Sequence, residues 1–269
     1  MQTNYEDMKQ YKAILIDWDD TIGDFVGAAN TALHEMYEKY QLSKYFDSYE
    51  EFDTLYHEHN LELWKLYGED KVTKAFLRVD RFLYPLLNGS KSFSSGENLE
   101  EALSSLAEKM SEDFLHLTTK YFSLLPGAEE LVRYLAKKYP LTVVTNGFIE
   151  VQYEKFDKSG LRDCFSHIVL SEEVGCQKPN PRIYEEALRM NGVVAEEAIM
   201  IGDSWNSDIQ GAINAGIDQI WIRKTDASLP EGQSATYFVK TLYNFQMISP
   251  IGEINSDGRP ILRAISRAS

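Results

Sequence analysis

A four-residue run without a polar side chain, Ala13-Ile14-Leu15-Ile16, stops abruptly at Asp17. A half-wet strand would alternate apolar and polar residues, so this run reads as a strand buried on both faces, as in a parallel sheet. The pattern recurs. Residues 141–144 stop at Thr145-Asn146-Gly147, residues 167–170 at Ser171-Glu172-Glu173 and residues 198–201 at Gly202-Asp203, and a fifth run at 219–222 closes the series. Amphipathic segments of helical period lie between, at 128–137, 149–159, 181–190 and 207–215. Strand and helix in alternation predict an α/β fold, a doubly wound, Rossmann-like parallel sheet.

One stretch breaks the alternation. From 23 to 123 no short apolar strand appears, while helical spacing repeats; Leu99, Leu103, Leu106, Met110, Phe114 and Leu117 line one face of a single helix. Asn98 and Glu101 have the spacing of a capping box at its start. The expected plan is an α/β core over 1–22 and 124–242, an inserted α-helical cap domain over 23–123, and a C-terminal tail of uncertain structure over 243–269. Because ligands bind beyond the carboxyl ends of strands in such sheets, an insertion directly after the first strand is expected to act as a lid.

Charge removes one class of partner. With 27 basic and 42 acidic residues the net charge is −15, which repels a phosphate backbone and argues against nucleic-acid polymers. Two cysteines, Cys164 and Cys176, are too few for a disulfide framework and lack zinc-site spacing, which suits a reducing compartment. No basic flank precedes an apolar stretch at the start, and no window approaches the roughly 20 apolar residues of a membrane span. A cytoplasmic location without a membrane partner is expected; the sequence leaves the oligomeric state open.

The polar residues that end the strands carry the candidate chemistry. In Asp17-Trp18-Asp19-Asp20-Thr21, Asp17 and Asp19 stand two apart and can face one point. Crowded carboxylates bind a hard cation or divide the roles of nucleophile and acid, although a solvated acidic turn would look the same. Asp203 and Asp208 form a second acidic cluster, in which Asp208 or Ser207 could simply cap a helix. Thr145 and Asn146 precede a helix, where a hydroxyl and free N–H groups can hold phosphate oxygens. Lys178 stands isolated between a strand and a helix, a position more often taken by a solvated charge. The histidines at 34, 57, 59, 116 and 167 show no ligand-type clustering.

In order and spacing, DWDDT, TNG, Lys178 and GDSWNSD resemble the motifs of the haloacid dehalogenase-like (HAD) hydrolase superfamily, over roughly residues 12–240. The insertion resembles that superfamily's first type of helical cap. The stretches TNGFIEVQYEKFDKSGLRDCF, VLSEEVGCQKPNPRIY and GDSWNSDIQGAINAGI look most like the branch containing house-cleaning pyrimidine 5′-nucleotidases. The resemblance implies a phosphatase acting on a small phosphorylated metabolite, nucleoside 5′-monophosphates first. It implies Asp17 as nucleophile, Asp19 as acid and base, and Mg²⁺ held by Asp17, Asp203 and the backbone carbonyl of Asp19. Thr145, Asn146 and Lys178 would hold the phosphoryl oxygens, with Asp208 supporting the metal or Lys178. An acid at position 19 argues against dehalogenation, whose leaving halide takes no proton.

Two alternatives use related chemistry. A phosphomutase or phosphonate hydrolase would need an acid–base residue or a Schiff-base lysine from the insertion, which holds Lys65, Lys71 and Lys74. A receiver-like phospho-aspartate module would lack both the acid at position 19 and the long helical insertion. Trp64, Tyr67, Phe76 and Phe82 could stack on a base, but at helical spacing aromatics more often fill a core.

Overall fold

The computed structural model describes residues 11–91, 99–222 and 234–242. The expected cap at Asn98 and the tail 243–269 lie outside the described residues. The chain divides into two compact units: one runs to Asp24 and resumes at Ser123, and the other is Phe25–Phe122.

The second unit is helical throughout its long elements: α1 (Phe25–Lys39), α2 (Tyr49–Gly68), α3 (Lys74–Asn88) and α4 (Leu99–Lys120). Ser48 and Thr73 begin α2 and α3, their hydroxyls accepting from the N–H of Glu51 and Phe76. The expected face of α4 buries Leu103, Met110, Phe114 and Leu117, with Leu99 and Leu106 packed at its margin. Rings dominate the core: Tyr56 stacks on Phe82 at 5.2 Å, and Phe114 meets Phe82 edge-on at 5.5 Å. Of the aromatics expected to fill a core, Phe82 does so fully, Trp64 and Tyr67 are half-buried, and Phe76 is 49% exposed, so the packing expectation fails for Phe76.

The first unit is built on six parallel strands, β1 (Ala13–Ile16), β2 (Leu141–Thr145), β3 (His167–Leu170), β4 (Ala198–Gly202), β5 (Asp218–Ile222) and β6 (Tyr237–Val239), ordered β3-β2-β1-β4-β5-β6. β6 was not expected; three residues at a sheet edge are too short to carry a period. α5 (Ala128–Ala136), α6 (Ile149–Ser159), α7 (Ser171–Val174), α8 (Pro181–Asn191) and α9 (Gln210–Asn214) connect the strands. Every residue of β1, β2 and β4 is buried, as strands covered on both faces require. The order reverses between β1 and β4, which makes their carboxyl ends the crevice where such sheets take ligands. Ile16 pairs with Val143 of β2 and Ile201 of β4, so Asp17 leaves the sheet level with both neighbours' ends.

Candidate active site

The turn after β1 is tight. The Ile22 and Gly23 N–H groups both donate to the Trp18 carbonyl at 2.9 Å, and Asp20 takes a left-handed φ of 62°, a conformation aspartate tolerates better than most residues. Trp18 points away from that turn into the core, edge-on to Phe156 at 4.5 Å and Phe165 at 5.9 Å. Asp17 and Asp19 flank Trp18, and both Trp18 and Asp19 meet α6, the ring at Phe156 and the carboxylate at Gln152 and Lys155.

Asp17 is buried, and the Lys178 ammonium donates to its Oδ1 at 2.5 Å. The same ammonium donates to Asp208 Oδ1 at 2.7 Å. Asp208 is fully buried, and its Oδ2 accepts the Ser204 N–H at 3.0 Å. Ser204 caps the turn that follows, its hydroxyl accepting from the Ser207 N–H, so Asp208 has one oxygen on the cap residue and the other on Lys178. That turn is a π-helical one, Trp205–Ile209, which folds the Asp208 carboxylate under Gly202. A Cβ at Gly202 would fall 2.4 Å from the Asp208 carboxyl, so only glycine fits. Lys178, expected more often than not to be solvated, is instead buried between two carboxylates.

One ligand atom from each of Asp17, Asp203 and Asp208 lies within 4.8 Å of the others. Thr21 steadies Asp203 by donating to its Oδ1 at 3.2 Å. Burial and the neighbouring Asp208 raise the pKa of Asp17, against the pull of Lys178. Asp208 is raised for the same first reason, burial. Burial opposes the charge on Lys178, but Asp17 and Asp208 outweigh it and hold the ammonium above its ordinary range. The upward shifts of both partners agree once the charges are counted: one ammonium serves two carboxylates, Asp203 adds a third, and the surplus is negative. Hard oxygen donors with surplus negative charge fit a small divalent cation such as Mg²⁺.

At the end of β2, Thr145 Oγ1 accepts from the Gly147 N–H at 3.1 Å. Asn146 turns its side chain the other way, accepting from Lys178 N at 2.9 Å and donating to Lys178 O at 3.0 Å. Its amide thus clamps the backbone that carries Lys178. Asp19 is the more accessible acid, and Lys155 Nζ donates to its Oδ1 at 2.9 Å while Gln152 Nε2 donates to Oδ2 at 3.0 Å.

A family model for haloacid dehalogenase-like hydrolases matches residues 11–216. The chain is a haloacid dehalogenase-like hydrolase. Its relatives include pyrimidine 5′-nucleotidase YjjG of Escherichia coli, 29% identical over 87% of this chain and 96% of the relative. Pyrimidine 5′-nucleotidase PynA of Streptococcus pneumoniae is 32% identical over 78% of this chain and 83% of its own length. Among solved structures, magnesium-bound HAD-hydrolase YfnB of Bacillus subtilis superposes with a TM-score of 0.75 at 27% identity, covering 89% of this chain and 99% of that one.

The hydrolase brings Asp17, Lys178, Asp203 and Asp208 into one cluster and sets Thr145 and Asp19 on a shared partner, Gln152. Gln152 and Lys155 escaped the sequence reading. A signal for them existed: in α6 they fall on the same stripe as Val151 and Phe156, so two polar side chains occupy buried positions of an amphipathic helix. No described helix is long and apolar enough to cross a membrane.

Proposed function

We propose that this hydrolase is a Mg²⁺-dependent phosphomonoesterase acting through an aspartyl-phosphate on Asp17, with pyrimidine nucleoside 5′-monophosphates as its preferred substrates. The observation that carries the chemistry is a buried carboxylate at the end of β1, tied to a buried lysine, with a second, accessible acid two residues on. The names of the two nucleotidase relatives support the substrate.

An Asp17 carboxylate oxygen attacks phosphorus as the bond from phosphorus to the ester oxygen breaks. Asp19 in its acid form gives that leaving oxygen a proton. Its carboxylate then takes a proton from water, whose oxygen bonds to phosphorus as the phosphorus–Asp17 bond breaks. Acid–base help of this kind is typically worth about 10²–10⁴ in rate. Lys178 and the Thr145 hydroxyl hold phosphoryl oxygens, with the Asn146 backbone N–H beside them. Asp208, its oxygens committed to Lys178 and Ser204, orients the lysine. Asp17, Asp203 and the Asp19 carbonyl would hold Mg²⁺, whose bound charge eases the approach of one anion to another.

Phosphate release from pyrimidine and purine monophosphates, sugar phosphates and p-nitrophenyl phosphate, with and without Mg²⁺, tests the reading. Mg²⁺-dependent release strongest with pyrimidine monophosphates supports it. Release without preference keeps the chemistry and removes the substrate, and no release from any ester removes both.

A further inference from the structure

Two side chains of α6, neither assigned a role above, reach across the site to the loop after β1. Lys155 is buried, and its ammonium meets Asp19, 136 residues away in the chain. Gln152 is fully buried and spends both hydrogens of its amide nitrogen on acceptors, one on Asp19 Oδ2 at 3.0 Å and one on Thr145 Oγ1 at 2.7 Å. Its Oε1 has no partner among the described residues, so the amide works here purely as a donor. Gly147 exists to admit it: a Cβ there would lie 2.0 Å from Gln152 Nε2.

Thr145 is constrained by the same contact. Its oxygen accepts from Gln152 and from the Gly147 N–H, which occupies both lone pairs. The only hydrogen-bonding capacity left is its own proton, so the hydroxyl is set as a donor to an incoming oxygen. Asp19 is fixed at both carboxylate oxygens, one by each α6 side chain. Ordering a flexible carboxylate before substrate arrives is a recognised source of rate, and a misplacement of about 1 Å can cost about 10²-fold.

We infer that Gln152 and Lys155 are positioning residues that hold the Asp19 carboxylate in place and aim the Thr145 hydroxyl proton at the transferring phosphoryl group. The inference rests on the phosphatase reading for its kinetic consequence, but the contact can be tested without turnover.

The first test is a melting cycle among wild type, Asp19→Asn, Lys155→Met and the double variant. If Lys155 holds Asp19, Asp19→Asn takes a carboxylate from a buried ammonium and lowers Tm by several degrees in the wild-type background, and has little effect in the Lys155→Met background. Equal drops in both backgrounds would overturn the pairing, whatever the protein catalyses.

The second test compares kcat/KM on uridine monophosphate, whose alkoxide needs a proton, with p-nitrophenyl phosphate, whose leaving group does not. Lys155→Met should lose about tenfold or more on the nucleotide and markedly less on the nitrophenyl ester, following the pattern of Asp19→Asn, and should cost nothing more on the nucleotide when added to Asp19→Asn. Gln152→Met, which also releases Thr145, should lose on both esters, more on the nucleotide, and should still cost activity when added to Asp19→Asn. Equal losses on the two esters for Lys155→Met, or no loss on the nitrophenyl ester for Gln152→Met, would overturn the role given to that residue. A wild-type protein inactive on both esters would count against the phosphatase reading, with the melting cycle still deciding whether Lys155 holds Asp19.

Discussion

Five charged side chains are buried among the described residues, four in the sheet-based unit and one in the helical unit. In the sheet-based unit Lys178 lies between Asp17 and Asp208, and Lys155 meets Asp19. Arg81 of the helical unit is equally buried and has no carboxylate partner among the described residues; its Nε and Nη2 are without hydrogen bonds. Instead its guanidinium lies 4.5 Å from the centroid of Phe114 and 5.2 Å from that of Phe82. Burial pushes its pKa down, partly offset by Tyr56. Buried charge in the first unit is paired, acid against base, around the loop that follows β1. The helical unit is held by rings, and its one buried charge is a cost that packing tolerates.

If that contrast is right, the largest effect comes from Asp17→Asn. Turnover should fall by roughly 10³ or more with the fold intact by circular dichroism. Removing this carboxylate should also change the pH dependence of stability. Its pKa is raised on folding, so its stabilising contribution is present below the ordinary carboxylate range and lost as pH rises through the raised value. Without added metal, Asp17→Asn should therefore melt higher than wild type at pH 8 and lose that advantage near pH 4. An Asp17→Asn protein that kept more than a few per cent of activity would end the assignment of the nucleophile.

Phe114→Ala probes the other side of the contrast. Truncating a buried ring that touches Tyr56 and Phe82 should cost about 3–5 kcal/mol in urea unfolding. A cost below about 1 kcal/mol would mean that the rings do not hold this unit.

A smaller effect is expected of Gly202→Ala, where the added Cβ displaces Asp208 and with it Lys178. Activity should fall by about 10²-fold with stability lowered less than in Phe114→Ala. Normal kcat would show that Asp208 does not set the lysine.

The smallest effect is the most discriminating. Arg81→Met gives up ring contacts worth about 0.5–2 kcal/mol but removes a buried charge that costs more, so a gain near 1 kcal/mol is expected by urea unfolding. A loss of several kcal/mol would show that Arg81 is compensated in a way the contrast omits.

Strands β1 to β5 were legible because each contains a short, largely apolar run, and Asp17, Thr145 and Asp203 followed as polar residues at the ends of three of them. Lys178 could be placed only through its motif, since nothing local distinguishes a buried lysine from a solvated one. The side chain of Asn146 was missed for a different reason: it serves the backbone of Lys178, 32 residues on, and sequence spacing carries no record of that contact. Apolar periodicity does not mark Gln152 and Lys155, because a polar residue on the buried stripe of α6 interrupts that period instead of extending it. β6 and the π-helical turn that presents Asp208 are too short for any period to show.

The proposed chemistry turns on Asp17 carrying the phosphoryl group. Rapid acid quench during turnover of phosphorus-labelled nucleotide, followed by peptide mapping, tests it most directly. A hydroxylamine-labile label is expected on the peptide bearing Asp17, absent from Asp17→Asn. Phosphate released at full rate with no covalent label, or with the label on another residue, would contradict it.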